Sequence, residues 1–109
     1  MFKRGDIVVT IASGDYGKPR PSLIVQADDY GGLPSVTVCL FSSDLQPAKP
    51  DLRITIEPTA TNGLRAMSQV AIDKIITVPR SRIGQRIGRL SDAEMAQVTA
   101  LLAAFLGMG

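Results

Sequence analysis

Histidine and tryptophan are absent from this 109-residue sequence, and only one cysteine, Cys39, is present. Without imidazole the chain cannot build a histidine zinc site, a Ser-His-Asp or Cys-His hydrolase site, or a nuclease site of paired histidines. A single cysteine supplies neither an internal disulfide nor a thiolate metal site. No Gly-rich Walker loop occurs either. Any catalysis must therefore use carboxylate, guanidinium, hydroxyl, ammonium or backbone groups.

Long hydrophobic runs are also missing. The opening stretch, MFKRGDIVVTIASGD, meets charged residues within a few positions, and its apolar run is far too short to span a membrane. The sequence therefore predicts a protein without a signal peptide or membrane anchor, located in the cytoplasm.

The composition is that of one globular domain, with 45% apolar and 20% charged residues. The formal net charge is +2, but residues 1–89 carry all 12 basic groups and only 8 of the 10 acidic ones. This mild basic excess is compatible with a phosphate-bearing partner, although many proteins that never bind nucleic acid share it.

Short β-branched and apolar segments alternate with loops rich in glycine, proline and polar residues, which indicates a series of strands. The Asn62-Gly63 pair is a strong turn signal. The predicted strands cover residues 6–12, 22–27, 35–41, 52–57 and 68–79. Because these strands precede one helix, we predict a mainly β (α+β) fold: a small curved sheet or barrel of about five to seven strands over residues 5–79.

The final segment, LSDAEMAQVTALLAAFLG, has the clearest local signal. Ser91 and Glu94 form the pattern of a capping box, and Leu90 and Met95 can pack across it. Apolar residues then recur on one helical face up to Gly107, which ends the segment. The pattern predicts an amphipathic helix over 91–107. The preceding segment, 80–90, contains Arg-Ile-Gly twice and is predicted as a turn or short helix that exposes Arg82, Arg86 and Arg89.

Arg20 stands between Pro19 and Pro21, directly before a predicted strand. The two prolines restrict the backbone to extended conformations, so the arginine is held on a stiff support. Further hydrogen-bonding groups follow other strand ends: Asp15, Tyr16 and Lys18; Ser42 and Ser43; and Arg65, Ser68 and Gln69. A rigid guanidinium beside hydroxyls and an acid suits a phosphodiester.

The stretch RGDIVVTIASGDYGKPRPSLIVQAD resembles the opening of the MazF/PemK family of toxin ribonucleases. Those proteins begin with Arg/Lys-Gly-Asp/Glu and a strand, and pass through a Gly-rich loop to Arg-Pro and a second strand. The likeness continues through VTVCLFSS and GLRAMSQVAIDKIITVPRSRIGQRIGRLSDAEMAQV, and so covers the whole chain as one domain.

The resemblance implies an SH3-like barrel with a C-terminal helix and a homodimer. It also implies cleavage of single-stranded RNA without a metal or cofactor, and inhibition by a cognate antitoxin. The catalytic arginine, strand-end threonine and loop acid of the family fall on Arg20, Ser42 and Asp15. The implied RNA-binding residues are Tyr16, Lys18, Ser43, Arg65, Ser68 and Gln69. Gln69 could instead satisfy neighbouring backbone, and Lys18 and Arg65 could be solvated surface charges.

The sequence departs from the family at several positions. Serine replaces threonine at position 42, Asp15 is one methylene shorter than the usual glutamate, and Ala66 and Ser68 stand where some members have an Arg-x-Asp pair. Two alternatives therefore stay open: a toxin similar to CcdB, which poisons gyrase through the end of its terminal helix, and a catalytically inactive SH3-like binding module.

Overall fold

The computed structural model of the protein describes residues 2–11 and 18–109. Six strands and one α-helix follow one another in the chain. The strands are β1 (Asp6–Thr10), β2 (Arg20–Ile24), β3 (Ser35–Ser42), β4 (Arg53–Ile56), β5 (Ser68–Pro79) and β6 (Ile83–Arg89), and the helix is α1 (Asp92–Phe105). Single turns of 3₁₀-helix lie at Asp28–Tyr30 and Arg80–Arg82.

All six strands belong to one antiparallel sheet with the order β4-β5-β3-β2-β1-β6. This confirms the predicted mainly β fold, with a strand number inside the expected range. The sheet is open, because in the described parts of the chain no ladder joins the outer strands β4 and β6. In an antiparallel sheet, the start of one strand and the end of its neighbour lie at the same edge of the sheet. The loops at these two ends can therefore form one site.

The prediction for residues 80–90 was wrong over most of its length. Only Arg80–Arg82 forms a helical turn, and Ile83–Arg89 forms β6, which pairs with β1. Glycines at 84 and 88 and the polar residues Gln85 and Arg86 between them hide the strand pattern in the sequence. The tertiary contact with β1 overrides this weak local preference. Gly88 is required there because a Cβ at this position would lie 2.3 Å from the carbonyl oxygen of Asn62.

The two faces of the sheet bury separate apolar clusters. The larger cluster lies between the sheet and α1 and includes Ile7, Leu23, Cys39, Val70 and Leu102. The smaller cluster, on the other face, contains Val8, Ile24, Val36 and Val38. Successive residues of a strand point to opposite faces, so β1, β2 and β3 each contribute to both clusters. Both faces are therefore covered at the middle of the sheet, and polar side chains collect at its ends.

The predicted capping box at the start of α1 is confirmed. The Ser91 hydroxyl accepts a hydrogen bond from the Glu94 backbone N–H at 3.1 Å, and the Glu94 carboxylate accepts one from the Ser91 N–H at 2.9 Å. Val98 and Leu102 are buried against the sheet, whereas Phe105 and Leu106 are about half exposed. No helix in residues 2–11 and 18–109 has the length and apolar character needed to cross a membrane.

A large bulge interrupts β5. Cys39 of β3 pairs with Ile75, and Phe41 pairs with Val70, so the four residues 71–74 lie opposite the single residue Leu40. Asp73, inside the bulge, forms an ion pair with Arg53 of β4 at 3.3 Å. Bulges of this kind redirect side chains at a sheet end.

Candidate active site

Arg20 and Ser42 lie at the same end of the β2–β3 ladder. Ser22 pairs with Leu40, and Arg20 and Ser42 are each two residues further outward on the two antiparallel strands. Residues at matching positions of adjacent strands point to the same face of the sheet. The structure therefore brings the proline-flanked arginine and the strand-end serine, which are 22 positions apart in sequence, to one place.

These two residues line a common groove of about 240 Å³, which we call the Ser42 groove. Its other lining residues are Leu40, Phe41, Ser43, Asp44 and Lys74. Arg20 and Lys74 supply two positive charges and Asp44 one negative charge, so the described lining of the groove is positive. A narrow positive groove with hydroxyl groups is suited to hold a phosphodiester.

The loop after β3 is held in place by a chain of hydrogen bonds that starts at Ser42. The Ser42 hydroxyl accepts from the Asp44 N–H at 3.1 Å, and the Asp44 carboxylate accepts from the Gln46 side chain at 3.0 Å. The Gln46 N–H donates to the Gln69 side-chain oxygen at 2.8 Å, and the Gln69 amide group donates to the Thr55 hydroxyl at 3.1 Å. This chain connects the tip of β3 with β5 and β4 and so fixes the position of the Ser42 hydroxyl.

A second, larger groove of about 570 Å³ also reaches Arg20, and we call it the Arg65 groove. Besides Arg20 it is lined by residues of β1, β2 and β6, by the segment before β5 and by the first residue of β5. These include Arg65, Ser68 and Gln85. Arg20 is shared by both grooves.

The wall of the Arg65 groove depends on the predicted Asn62-Gly63 turn. The buried Asn62 side-chain oxygen accepts from the N–H groups of Thr59 and Leu64 at 3.0 Å each, and its amide group donates to the Glu57 carbonyl at 2.8 Å. Gly63 has a φ of 68°, and a Cβ there would lie 2.0 Å from the carbonyl oxygen of Ile87. The turn therefore packs directly on β6 and keeps Arg65 at the groove.

The structure places the other predicted site residues in different ways. Ser43 lines the Ser42 groove, and Arg65 and Ser68 line the Arg65 groove. Lys18 is exposed and is not among the described lining residues of either groove. Gln69 is 3% exposed, and its side chain holds the 44–46 loop. Asp15 and Tyr16 lie outside the described residues.

The sequence reasoning missed two charged groups of the Ser42 groove, Asp44 and Lys74. Asp44 lies two residues after the strand-end serine, so its proximity could have been inferred from the sequence. The proximity of Lys74 could not have been inferred, because this residue lies within a strand and reaches the groove only through the β5 bulge.

The family model for the PemK-like, MazF-like toxin of type II toxin–antitoxin systems matches residues 3–106. This chain belongs to that family. The match confirms the resemblance seen in the sequence. A relative described as a probable endoribonuclease MazF, from Mycolicibacterium smegmatis, is 47% identical over 98% of this chain and 98% of its own length. A second, the endoribonuclease MazF of Staphylococcus saprophyticus, is 26% identical over 99% of this chain and 93% of its own length.

Solved structures of an antitoxin-bound endoribonuclease and of a MazF toxin share the fold of this family member. A mycobacterial endoribonuclease in complex with its cognate antitoxin superimposes with a TM-score of 0.84, covering 100% of this chain and 98% of that one at 20% identity. The Mycobacterium tuberculosis toxin MazF-mt6 gives a TM-score of 0.77 at 24% identity, covering 94% and 98%. The likeness to the endoribonuclease MazF group supports neither the gyrase-poison alternative nor the inactive binding module.

Proposed function

We propose that this protein is the endoribonuclease toxin of a type II toxin–antitoxin system and cleaves single-stranded RNA in the cytoplasm without a metal ion. The observation that carries the proposal is the common groove of Arg20 and Ser42 at the end of the β2–β3 ladder. The 47% identity to a MazF endoribonuclease over nearly the whole chain supports the same activity. We propose also that the toxin acts as a homodimer and is neutralised by a cognate antitoxin protein.

The reaction begins when the 2′-hydroxyl of the ribose attacks the neighbouring phosphorus. The bond from the 2′-oxygen to phosphorus forms, the bond to the 5′-oxygen breaks, and a 2′,3′-cyclic phosphate results. A base accepts the proton of the 2′-hydroxyl, and the leaving 5′-oxygen takes up a proton. Negative charge builds up on the phosphoryl oxygens, so hydrogen-bond donors held in advance around them accelerate the reaction.

Arg20 fits the role of main donor. Its guanidinium can bind two phosphoryl oxygens through parallel hydrogen bonds, and it keeps its positive charge throughout because guanidinium does not deprotonate in proteins. Ser42 adds a hydroxyl whose position the hydrogen-bond chain through Asp44 and Gln46 maintains. Asp15 remains the predicted base. The remaining RNA contacts are assigned to Tyr16, Lys18, Ser43, Arg65 and Ser68. The buried Gln69, also predicted from the sequence as an RNA contact, instead supports the loop after β3.

The residue types support a reaction without a metal. The sequence has no histidine, and within the described residues no group of three or more His, Cys, Asp or Glu side chains is arranged to hold an ion. The phosphate charge can instead be balanced by the cations of the two grooves. Because the grooves carry Arg20, Arg65 and Lys74, an acidic antitoxin segment would complement them.

The test is cleavage of a long single-stranded RNA by the purified protein in excess EDTA. We expect fragments with 2′,3′-cyclic phosphate ends, and a loss of at least about a hundredfold in rate for Arg20→Ala. Arg89→Ala is the matched control, because Arg89 is half exposed and lines neither groove in the described structure. Intact RNA with the folded wild-type protein, or full activity of Arg20→Ala, would contradict the proposal.

A further inference from the structure

Lys74 reaches the Ser42 groove because of the bulge in β5. In an uninterrupted ladder one residue of β5 would lie opposite Leu40, but here the four residues 71–74 do. Lys74 is the last of them, and its side chain lines the groove together with Arg20, Leu40 and Ser42. The position of the lysine is therefore a consequence of strand pairing, and a shorter bulge would remove it from the groove.

The bulge has its own support on the far side of β5. Arg53, whose side chain is 7% exposed, lies 3.3 Å from one carboxylate oxygen of Asp73 and 3.5 Å from the other. The Ile72 N–H donates to the Leu52 carbonyl at 2.9 Å. These contacts hold the two residues just before Lys74. They also pair the charge of Asp73 with Arg53, so Asp73 does not neutralise Lys74.

The groove contains two cations from different strands, Arg20 of β2 and Lys74 of β5. The strand between them, β3, supplies the Ser42 hydroxyl. Both cations line this one groove of about 240 Å³, so we expect a phosphate bound there by Arg20 to be accessible to the lysine side chain. A reacting phosphate gains negative charge on its free oxygens, and a second cation in a fixed position stabilises that charge.

We propose that Lys74 is a further catalytic residue, whose ammonium group binds the phosphate held by Arg20 and stabilises the charge that develops on it. This inference rests on the proposed ribonuclease function. Lys74 takes part as a cation and exchanges no proton. The two cations and the hydroxyl would then contact one phosphate from three adjacent strands.

The test compares Lys74→Met, which removes the charge and keeps most of the side-chain length, with Lys74→Arg, which keeps the charge. Lys49→Met is the matched control, because Lys49 is an exposed loop lysine outside both grooves as described. With saturating enzyme and a long single-stranded RNA, we expect the single-turnover rate of Lys74→Met to fall on the order of a hundredfold. Lys74→Arg should recover most of the rate, and Lys49→Met should keep it.

A second measurement uses a 2′-O-methylated RNA, which cannot be cleaved. The slope of log affinity against log salt concentration should become shallower by about 0.7 for Lys74→Met, because one phosphate contact is lost. Lys49→Met should keep the wild-type slope. A purely structural role would lower the thermal unfolding midpoint and leave this slope unchanged.

The outcomes separate the two proposals. If the wild type cleaves RNA and Lys74→Met matches it in rate and salt slope, the lysine inference is wrong and the ribonuclease function stands. If the folded wild type does not cleave, the ribonuclease function fails, and the salt slope alone decides whether Lys74 contacts phosphate. Should Lys74→Met fold poorly, Lys74→Gln replaces it in both measurements.

Discussion

Arg20 and Ser42 occupy matching positions on neighbouring strands, each two residues beyond the Ser22–Leu40 pair, and line one groove. This relationship joins a guanidinium on a proline-stiffened strand to a hydroxyl held by its own loop. The backbone of Arg20 and the hydroxyl of Ser42 are fixed before substrate binds, so part of the entropy of ordering the site is lost when the protein folds.

Ser42 should contribute through its hydroxyl group. For Ser42→Ala we expect a fall in cleavage rate on the order of tenfold to a hundredfold, because one phosphate donor is lost. Ser42→Thr keeps the hydroxyl and should keep most of the rate. Rates are measured with saturating enzyme, and the far-UV circular dichroism of each variant checks its fold. Equal activity of Ser42→Ala and wild type would remove Ser42 from the mechanism.

Two variants test whether Asp15 or Asp44 is the general base that accepts the proton of the 2′-hydroxyl. Asp15→Asn should lower the rate by on the order of a hundredfold, as expected for loss of a general base. Asp44→Asn should change it less than about tenfold, because the Asp44 carboxylate accepts a hydrogen bond from Gln46 and its backbone N–H holds Ser42.

The measurement for both carboxylate variants is the pH profile of single-turnover cleavage. A general base makes the rate fall toward low pH, where the base is protonated. Loss of this fall in Asp15→Asn would identify Asp15 as the base. If Asp44→Asn loses this fall instead, the base lies in the loop after β3 and the prediction for Asp15 is wrong.

Three glycine substitutions separate close packing from backbone conformation. Gly88→Ala should lower the free energy of unfolding by about 3 kcal/mol or more, because its Cβ would lie 2.3 Å from backbone atoms of Asn62. Gly107→Ala should lower it by about 1 kcal/mol through its positive φ of 74° alone. Gly32→Ala is the control, because a Cβ at this position would contact no atom within 4 Å. It should change the free energy of unfolding by less than about 0.5 kcal/mol. A Gly88→Ala variant as stable as Gly32→Ala would disprove the contact between the 62–63 turn and β6.

Cys39 should stay unreactive in the folded protein. Its side chain is fully buried in the larger core cluster, and burial raises the pKa of the thiol from 9.0 to about 12. Iodoacetamide at pH 8 should therefore alkylate Cys39 only after denaturation, since the thiolate is the reactive form. Rapid alkylation of the native protein would show that this part of the core opens.

The same thiol affects stability at high pH. In the unfolded chain it ionises near its ordinary pKa, whereas in the folded chain it stays protonated up to about pH 12. Its contribution to the free energy of unfolding is thus complete below about pH 9 and falls by about 1.4 kcal/mol per pH unit above that. Cys39→Val removes this contribution, so the wild type should lose stability more steeply than Cys39→Val between pH 9 and pH 11 in urea titrations.

Features that depend on residues close in sequence could be predicted well. The Ser91–Glu94 capping box, the Asn62-Gly63 turn and the bounds of β5 follow from side-chain chemistry and alternation within a few positions. The order of residues along the whole chain was also sufficient to indicate the toxin family, and with it the roles assigned to Arg20 and Ser42.

Only the tertiary structure decided which distant residues share a site. The pairing of β2 with β3 brings Arg20 and Ser42 together, the pairing of β1 with β6 turns 83–89 into a strand, and the β5 bulge delivers Lys74 to the groove. Strand pairing and bulges are set by long-range hydrogen bonds and by packing on both faces of the sheet, which leave little trace in local sequence patterns. For the same reason Gln69, predicted to contact RNA, was found to anchor the 44–46 loop through its buried amide.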